Sequence, residues 1–117
     1  MIFYFSGTGN TKWAAEQLAS ATHDSLYYIP DELKKGTLEY TLQEGERLGI
    51  CFPTHGWQVP RIVRQFIRKA TFTLPEDSYI YALTTCGDNM GHAMRILNKE
   101  LGQKGLHTDA AFAIVMP

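Results

Sequence analysis

The sequence has little cysteine, no long apolar run and no surplus of charge. Its 117 residues include two cysteines, too few for a disulfide framework, a zinc site or a four-thiolate iron–sulfur cluster. No apolar run approaches the roughly 20 residues of a membrane-spanning helix, and the pattern of a signal peptide is missing. The 11 Lys and Arg residues balance 12 Asp and Glu, which excludes the broad basic surface of a general nucleic-acid-binding protein. We therefore expect a cytoplasmic protein that binds neither membranes nor nucleic acid and holds no metal.

The composition is that of one folded domain spanning residues 1–117. Hydrophobic residues make up 44% and charged residues 20%, values typical of a folded domain rather than of a disordered chain. The length suits a single domain and leaves no room for a second. Cys51 falls inside an apolar run, so we expect it to be buried, whereas Cys86 falls in a predicted loop.

Apolar segments alternate with helical periodicity along the chain. Strands are predicted over residues 1–5, 25–29, 47–52, 79–84 and 110–116. Helices are predicted over residues 10–22, 60–70 and 91–104, where apolar positions recur every three or four residues. Residues 31–46 are polar, and the alternation of Leu38, Tyr40 and Leu42 predicts an extended edge segment, with a short helix near Asp31 as an open alternative. This order predicts an α/β fold with a doubly wound, five-stranded parallel sheet and helices on both faces.

The loop after the first strand has the composition of a phosphate-binding loop. It reads Ser6-Gly7-Thr8-Gly9-Asn10-Thr11. Its glycines allow a close backbone approach, its hydroxyls donate hydrogen bonds, and the helix that follows directs amides toward the loop. A Walker loop is excluded by its missing Gly-Lys-Ser/Thr string, and a dinucleotide fingerprint by Lys12 at its third small position. The loop therefore suits a terminal phosphate monoester, the alternative being a Gly-rich turn capped by Asn10 or Thr11.

Two further loops follow predicted strands, and ligands of open α/β sheets bind at the carboxyl ends of strands. The second loop reads Pro53-Thr54-His55-Gly56-Trp57-Gln58-Val59, and the third reads Thr84-Thr85-Cys86-Gly87-Asp88-Asn89-Met90-Gly91. Trp57 offers a flat face to a planar ring, although packing against its own helix is the alternative. His55 is either a titrating neighbour of that ring or a solvated loop residue. The third loop either hydrogen-bonds a heterocycle edge or is ordinary turn chemistry.

The first loop resembles the Thr/Ser-x-Thr-Gly-x-Thr phosphate loop of the flavodoxin family, and the other two resemble that family's ring-binding loops. The resemblance covers nearly the whole chain and is nearest to the flavodoxin domains that precede a ferredoxin-type module in many anaerobic bacteria. It implies strand order 2-1-3-4-5 and one non-covalent FMN. It also implies that Gly7 belongs to the cofactor-binding loop and that Trp57 stacks on the isoalloxazine. The residues that would hold the phosphate are Ser6, Thr8, Gly9, Asn10 and Thr11. The Gly56 carbonyl would face the flavin N5–H and favour the half-reduced state, and residues 85–89 would line the pyrimidine and ribityl side.

Against that family pattern, the chain ends at Pro117, directly after the fifth strand, without the last helix of the fold. We expect a C-terminally truncated domain with a bare sheet face near Trp13 and strands three to five. A second copy of the chain is expected to cover this face as a homodimer. Trp13 itself lies off the apolar stripe of its helix, so it either belongs to a contact with that last helix of the fold or is a plain surface residue.

Three functions follow from these observations. The first is an FMN-dependent electron-transfer domain that docks on a redox protein partner such as a ferredoxin module, since no acid–base pair or nucleophile is evident. The alternatives are an FMN-dependent NAD(P)H:quinone-type oxidoreductase and a flavin-free binding module, so whether the chain is an enzyme stays open. A basic helix face either docks an acidic partner or is simply solvated. It comprises Arg61, Arg64, Arg68 and Lys69.

Overall fold

Strands and helices alternate along the chain as predicted. A computed structural model describes residues 1–7, 9–54, 58–87 and 92–115. In chain order the elements are β1 (Ile2–Tyr4), α1 (Asn10–Thr22), β2 (Leu26–Tyr28), α2 (Ile29–Leu33), β3 (Glu39–Thr41), β4 (Leu48–Pro53), α3 (Arg61–Lys69), β5 (Thr71–Thr73), β6 (Ile80–Cys86), α4 (Ala93–Gly102) and β7 (Ala110–Val115).

Five of the strands form one parallel sheet in the order β2-β1-β4-β6-β7. Numbered along the chain within this sheet, the order is 2-1-3-4-5, so the predicted topology is confirmed. The two longest pairings join β4 to β6 and β6 to β7, with Leu48 opposite Ile80 and Pro53 opposite Thr85 in the first. The chain therefore winds outward in one direction from β1 to β2 and in the other from β4 to β7, the arrangement of a doubly wound sheet.

Helices cover both faces of the sheet, and each face has its own hydrophobic core. Helix α1 packs Ala14 and Ala15 against Ile2, Tyr4 and Cys51 on one face. The other face carries a larger core beneath α3 and α4, centred on the fully buried aromatic side chains Phe3, Phe52 and Phe66. In β4 the backbone of Gly49 lies against the Tyr81 ring, and a Cβ at this position would overlap that ring.

The polar stretch over residues 31–46 holds two departures from the predicted order. A short helix begins at Ile29, earlier than the alternative near Asp31, with Pro30 in its first turn, where proline is tolerated. The extended segment predicted from Leu38, Tyr40 and Leu42 is present as β3, but it pairs with β5 in a separate two-stranded parallel sheet. The β5 strand was not predicted, because three residues are too few to show a period.

The face of the sheet beside α1 is incompletely covered toward β7. The register places Phe112 beside Leu83, on the α1 side, and half of the Phe112 side chain is exposed. Trp13 is 55% exposed on α1, off its apolar stripe as predicted. The expected second copy of the chain on this face stays a prediction. Among the described helices, none combines the length and the apolar character needed to cross a bilayer.

Candidate functional site

The described parts of the three predicted loops lie at one edge of the sheet, because they follow the adjacent parallel strands β1, β4 and β6. Backbone hydrogen bonds continue past the strand ends and hold these loops side by side. The Phe5 amide donates to the Cys51 carbonyl at 3.0 Å, and the Thr54 amide donates to the Thr85 carbonyl at 2.9 Å. The strand order reverses between β1 and β4, and ligands of open α/β sheets bind at such a switch point.

The first loop leads into α1 through a position whose backbone conformation strongly favours glycine. Gly9 is the N-cap of α1 and has φ +99°, a left-handed conformation that carries a penalty for residues with a Cβ. Its amide donates to Ser6 Oγ at 3.0 Å, which closes the loop and leaves the Ser6 hydroxyl proton available for another acceptor. A Cβ placed at Gly7 would meet no atom within 4 Å, so the loop faces open space there.

The N-terminus of α1 carries partial positive charge, and no acidic side chain in its first turn offsets that charge. Its first turn contains no acidic residue, and no side-chain hydrogen bond caps it in the described structure. The first amides of a helix lack partners within the helix, and the aligned peptide dipoles place partial positive charge at this end. The first turn, which includes Asn10 and Thr11, is therefore suited to an anion.

Thr11 and Thr85 connect the first loop to the third. Their hydroxyl oxygens are 2.7 Å apart, and both side chains are buried, Thr11 to 1% exposure. One hydroxyl proton is used between them, so the other remains for a further acceptor. The Thr11 side chain therefore fixes the start of α1 against β6, and its predicted contact with a phosphate stays a prediction.

A second pair of threonines connects the middle loop to β6. Thr84 Oγ1 donates to the Phe52 carbonyl at 2.8 Å and lies 2.6 Å from Thr54 Oγ1. Since the single proton of Thr84 is used on Phe52, Thr54 must donate to Thr84, and the lone pairs of Thr54 remain free to accept. Thr84 was not among the predicted site residues, although its position beside Thr85 at the end of a strand was a usable signal.

The two cysteines are both buried. Desolvation raises the pKa of the Cys51 thiol to about 12, so this residue is a neutral core side chain, as predicted from its apolar run. The prediction for Cys86 was wrong: it is the last residue of β6 rather than a loop residue, and its Sγ lies 4.0 Å from the Ile114 carbonyl oxygen. Pro53 likewise ends β4 and Thr85 lies within β6, so the loops are shorter than predicted.

The described residues bring together part of the predicted set. Ser6, Gly7, Gly9, Asn10, Thr11, Pro53, Thr54, Thr85, Cys86 and Gly87 lie at this edge. Six other predicted positions lie outside the described residues, and their roles stay predictions. These are Thr8, His55, Gly56, Trp57, Asp88 and Asn89.

The predicted site residues do not line a cavity that lies elsewhere in the described structure. A cavity of about 390 Å³ lies at the opposite, amino edge and is lined by Leu74, Ile80 and Leu106 among others. It contains none of the predicted site residues. Within the described ranges, no group of three His, Cys, Asp or Glu side chains has the arrangement of a metal site.

The sheet order and the loop edge define a flavodoxin-like fold, and similar solved structures agree. A candidate flavoprotein from Bacteroides uniformis matches 98% of this chain and 88% of its own with a TM-score of 0.75 at 20% sequence identity. Rubredoxin:oxygen oxidoreductase from Desulfovibrio gigas matches 99% of this chain over 30% of its own length, with a TM-score of 0.62 at 18% identity. The two-electron-reduced flavodoxin of Megasphaera elsdenii matches 100% of this chain and 88% of its own, with a TM-score of 0.56 at 17% identity.

No protein-family model matches the sequence, and no curated protein is significantly similar to it. At identities of 20% and below, the structural matches show the fold alone. The fold is therefore flavodoxin-like, and the ligand has to be argued from the residues at the edge of the sheet.

Proposed function

We propose that this chain is an FMN-binding electron-transfer domain. The observation that carries the proposal is the open N-terminus of α1, fixed to β6 by the 2.7 Å contact between Thr11 and Thr85. This contact lies at the N-terminus of α1, beside the carboxyl ends of β1, β4 and β6, and a helix N-terminus is suited to an anion. The names of the similar structures, a flavodoxin and a candidate flavoprotein among them, support a flavin as the ligand.

The phosphate end of FMN fits the described residues. The loop has no carboxylate in the first turn of α1, a free hydroxyl proton on Ser6 and open space above Gly7. A phosphate monoester needs several donors converging on its oxygens, and Ser6 with the first amides of α1 supplies them without a cation. Asn10 and Thr11 would add their amides to this set, and Thr8 its hydroxyl.

The remainder of the cofactor would lie along the other two loops. Thr54 has lone pairs free to accept from a ribityl hydroxyl. Gly87 carries no side chain to obstruct an approaching ring, and the space beside it is open, because a Cβ there would meet no atom within 4 Å. Trp57 would stack on the ring and Gly56 would approach N5, as the flavodoxin resemblance implies. His55, Asp88 and Asn89 would complete the border of the ring.

FMN, when bound, supplies the exchange of one or two electrons, and the residues of the chain bind, orient and shield it. The described edge consists of hydroxyls, backbone groups and one buried thiol rather than an acid–base pair. This arrangement suits a carrier that exchanges electrons with a redox protein, such as a ferredoxin module, through a small transient interface. A nicotinamide-dependent reductase would need a further pocket for a second substrate.

Titration of the flavin-free chain with FMN tests the proposal through flavin fluorescence, which stacking on an aromatic ring quenches. We expect saturable, one-to-one quenching. Ser6→Ala should weaken binding at least fivefold, because it removes a donor to the phosphate, whereas the exposed Ser20→Ala should bind like the parent chain. A chain that fails to bind FMN would contradict the proposal and favour a flavin-free binding module.

Rapid mixing of the FMN-loaded chain with NADPH separates the carrier from the enzyme. A carrier keeps its flavin oxidised on the time scale of seconds, because no site holds the nicotinamide against the ring. Direct bleaching of the flavin absorbance by NADPH would contradict the carrier and support the NAD(P)H-dependent oxidoreductase.

A further inference from the structure

The positive charge of this chain is concentrated on α3 and α4. These helices contain six of the 11 Lys and Arg residues but one of the 12 Asp and Glu, which leaves five basic and eleven acidic residues elsewhere. A net charge of −1 thus divides into about +5 on two adjacent helices and about −6 on the rest. The basic residues are Arg61, Arg64, Arg68, Lys69, Arg95 and Lys99.

Between the two helices lies a groove of about 380 Å³ that this charge surrounds. Its lining consists of Arg64, Arg68, Lys99, Glu100 and Gln103. Helices α3 and α4 both start near the carboxyl edge of the sheet, and Arg68 and Glu100 lie in their last turns. The groove therefore lies away from the candidate FMN edge, and binding of a partner in the groove does not depend on flavin binding.

Glu100 holds the two arginines of the groove in fixed positions. It is only 5% exposed, and its Oε1 accepts from Arg64 Nε at 3.1 Å and from Arg68 Nη2 at 2.7 Å. Its Oε2 accepts from Arg68 Nε at 2.8 Å. These bonds use Nε and Nη2 of each guanidinium, and neither Nη1 group has a hydrogen-bond partner among the described residues.

Two guanidinium groups held this way are preorganised for further carboxylates. Ordering a free arginine side chain usually opposes binding, and here the fold has already restricted both side chains. The single carboxylate of Glu100 offsets one of the two guanidinium charges, and Lys99 adds another positive charge. The groove therefore retains a surplus of about two positive charges. Paired Asp or Glu side chains match both this charge and the remaining donors.

We propose that the groove between α3 and α4 is a docking surface for an acidic protein segment, whose paired carboxylates bind Arg64, Arg68 and Lys99. A nucleic acid fits less well, because eleven acidic residues elsewhere on the chain repel it and the described α3 and α4 expose no large aromatic residue for base stacking. A membrane surface fits less well because, among the described residues, the exposed large apolar side chains lie outside α3 and α4. Those side chains are Trp13, Tyr79, Phe112 and Val115.

A synthetic helical peptide with glutamate pairs at i and i+4 tests the proposal, with the matched glutamine peptide as its control. Binding to the ¹⁵N-labelled full chain is followed by NMR. We expect the acidic peptide alone to shift the Nε signals of Arg64 and Arg68, with at least tenfold weaker binding when salt is raised from 50 to 300 mM. Failure of the acidic peptide to bind, or equal binding of the glutamine peptide, would overturn the proposal.

Charge-removal variants localise the effect without disturbing the pairs on Glu100. Arg95→Gln with Lys99→Gln should weaken binding at least fivefold, whereas Lys12→Gln with Lys34→Gln removes equal charge elsewhere and should change it less than twofold. Equal losses in the two double variants would show a general charge effect and overturn the docking site. Tighter binding of a 20-base-pair DNA duplex, or of vesicles containing phosphatidylserine, than of the acidic peptide in 150 mM salt would also overturn it.

Discussion

Thr11 and Thr85 are 74 positions apart in the sequence, yet their hydroxyl oxygens lie 2.7 Å from each other in the buried layer beneath the candidate site. Thr11 belongs to the first turn of α1 and Thr85 to the end of β6, so this contact fixes the start of α1 against the sheet. The geometry of the candidate site therefore depends on a side-chain pair that is itself almost inaccessible to solvent.

The Thr11–Thr85 contact should contribute measurably to stability. Thr11→Val keeps the shape of the side chain but leaves the buried Thr85 hydroxyl without this partner, at a cost of about 1–3 kcal/mol in the free energy of unfolding. The variant with valine at both positions should lose less than the sum of the two single changes. Urea denaturation of the four chains measures this, with the exposed Thr37→Val as a control. Strictly additive losses would contradict the hydrogen bond.

Gly9 and Gly7 form a matched pair for the first loop. Gly9→Ala should cost about 1–2 kcal/mol of stability because it forces a Cβ into a left-handed conformation. FMN affinity should fall with it, since the loop would open to relieve the strain. Gly7→Ala should leave stability within about 0.5 kcal/mol, because its Cβ meets no atom within 4 Å. Thermal denaturation checks both variants and FMN titration checks Gly9→Ala; equal losses of stability at the two glycines would be incompatible with this loop geometry.

Glu100 should make the stability of the chain depend on pH. The hydrogen bonds from Arg68, followed by those from Arg64, hold the pKa of the Glu100 carboxyl below its usual value, against the opposing effect of desolvation. A depressed folded-state pKa contributes stability that is present above about pH 4.5 and is lost as the pH falls through the folded value.

Glu100→Gln should therefore destabilise the chain by about 1–3 kcal/mol at pH 7, and the difference from the parent chain should shrink by pH 3. Urea denaturation at the two pH values checks this. The exposed Glu39→Gln is the control and should change stability by less than about 0.5 kcal/mol at pH 7. A difference that stays constant between pH 7 and pH 3 would show that the charge of Glu100 is not the cause.

Cys51 should be inert toward thiol reagents in the folded chain. Burial raises its pKa to about 12, so the reactive thiolate is scarce at pH 8 and the sulfur is inaccessible. In a Cys86→Ser background, modification by a disulfide reagent should be slow at pH 8 and fast after unfolding in urea. Fast modification of the folded variant would place Cys51 outside the core.

Much of the fold could be predicted because its strands are near-continuous apolar runs and its helices carry a regular stripe. The five strands of the main sheet and the helices from Asn10 and near Pro60 follow from such local patterns. The β3–β5 pair could not be predicted, because pairing between two three-residue strands depends on contacts far apart in sequence. The burial of Glu100 could not be predicted either, because the residues next to it in the sequence do not show that two arginines of another helix enclose its carboxylate.

The loops of the candidate site could be predicted from the sequence, but the side-chain hydrogen bonds that connect them could not. The Gly-rich segment after an apolar strand is a local signal, and the parallel order of strands brings it beside the other loops. The Thr54–Thr84 pairing depends on the register between β4 and β6, and the Thr11–Thr85 pairing depends on how α1 packs on β6, neither of which the sequence displays. The loop predicted after the fourth strand includes Cys86, but pairing with Val115 extends β6 through this residue.

The central claim is that the edge beside α1 holds the phosphate of FMN. Calorimetric titration of the flavin-free chain with FMN and, separately, with riboflavin tests it most directly, because the two ligands differ only in that phosphate. The account predicts one FMN per chain, riboflavin binding weaker by a factor of at least about 100, and competition of inorganic phosphate with FMN. Equal affinities for FMN and riboflavin, or no binding of either, would contradict it.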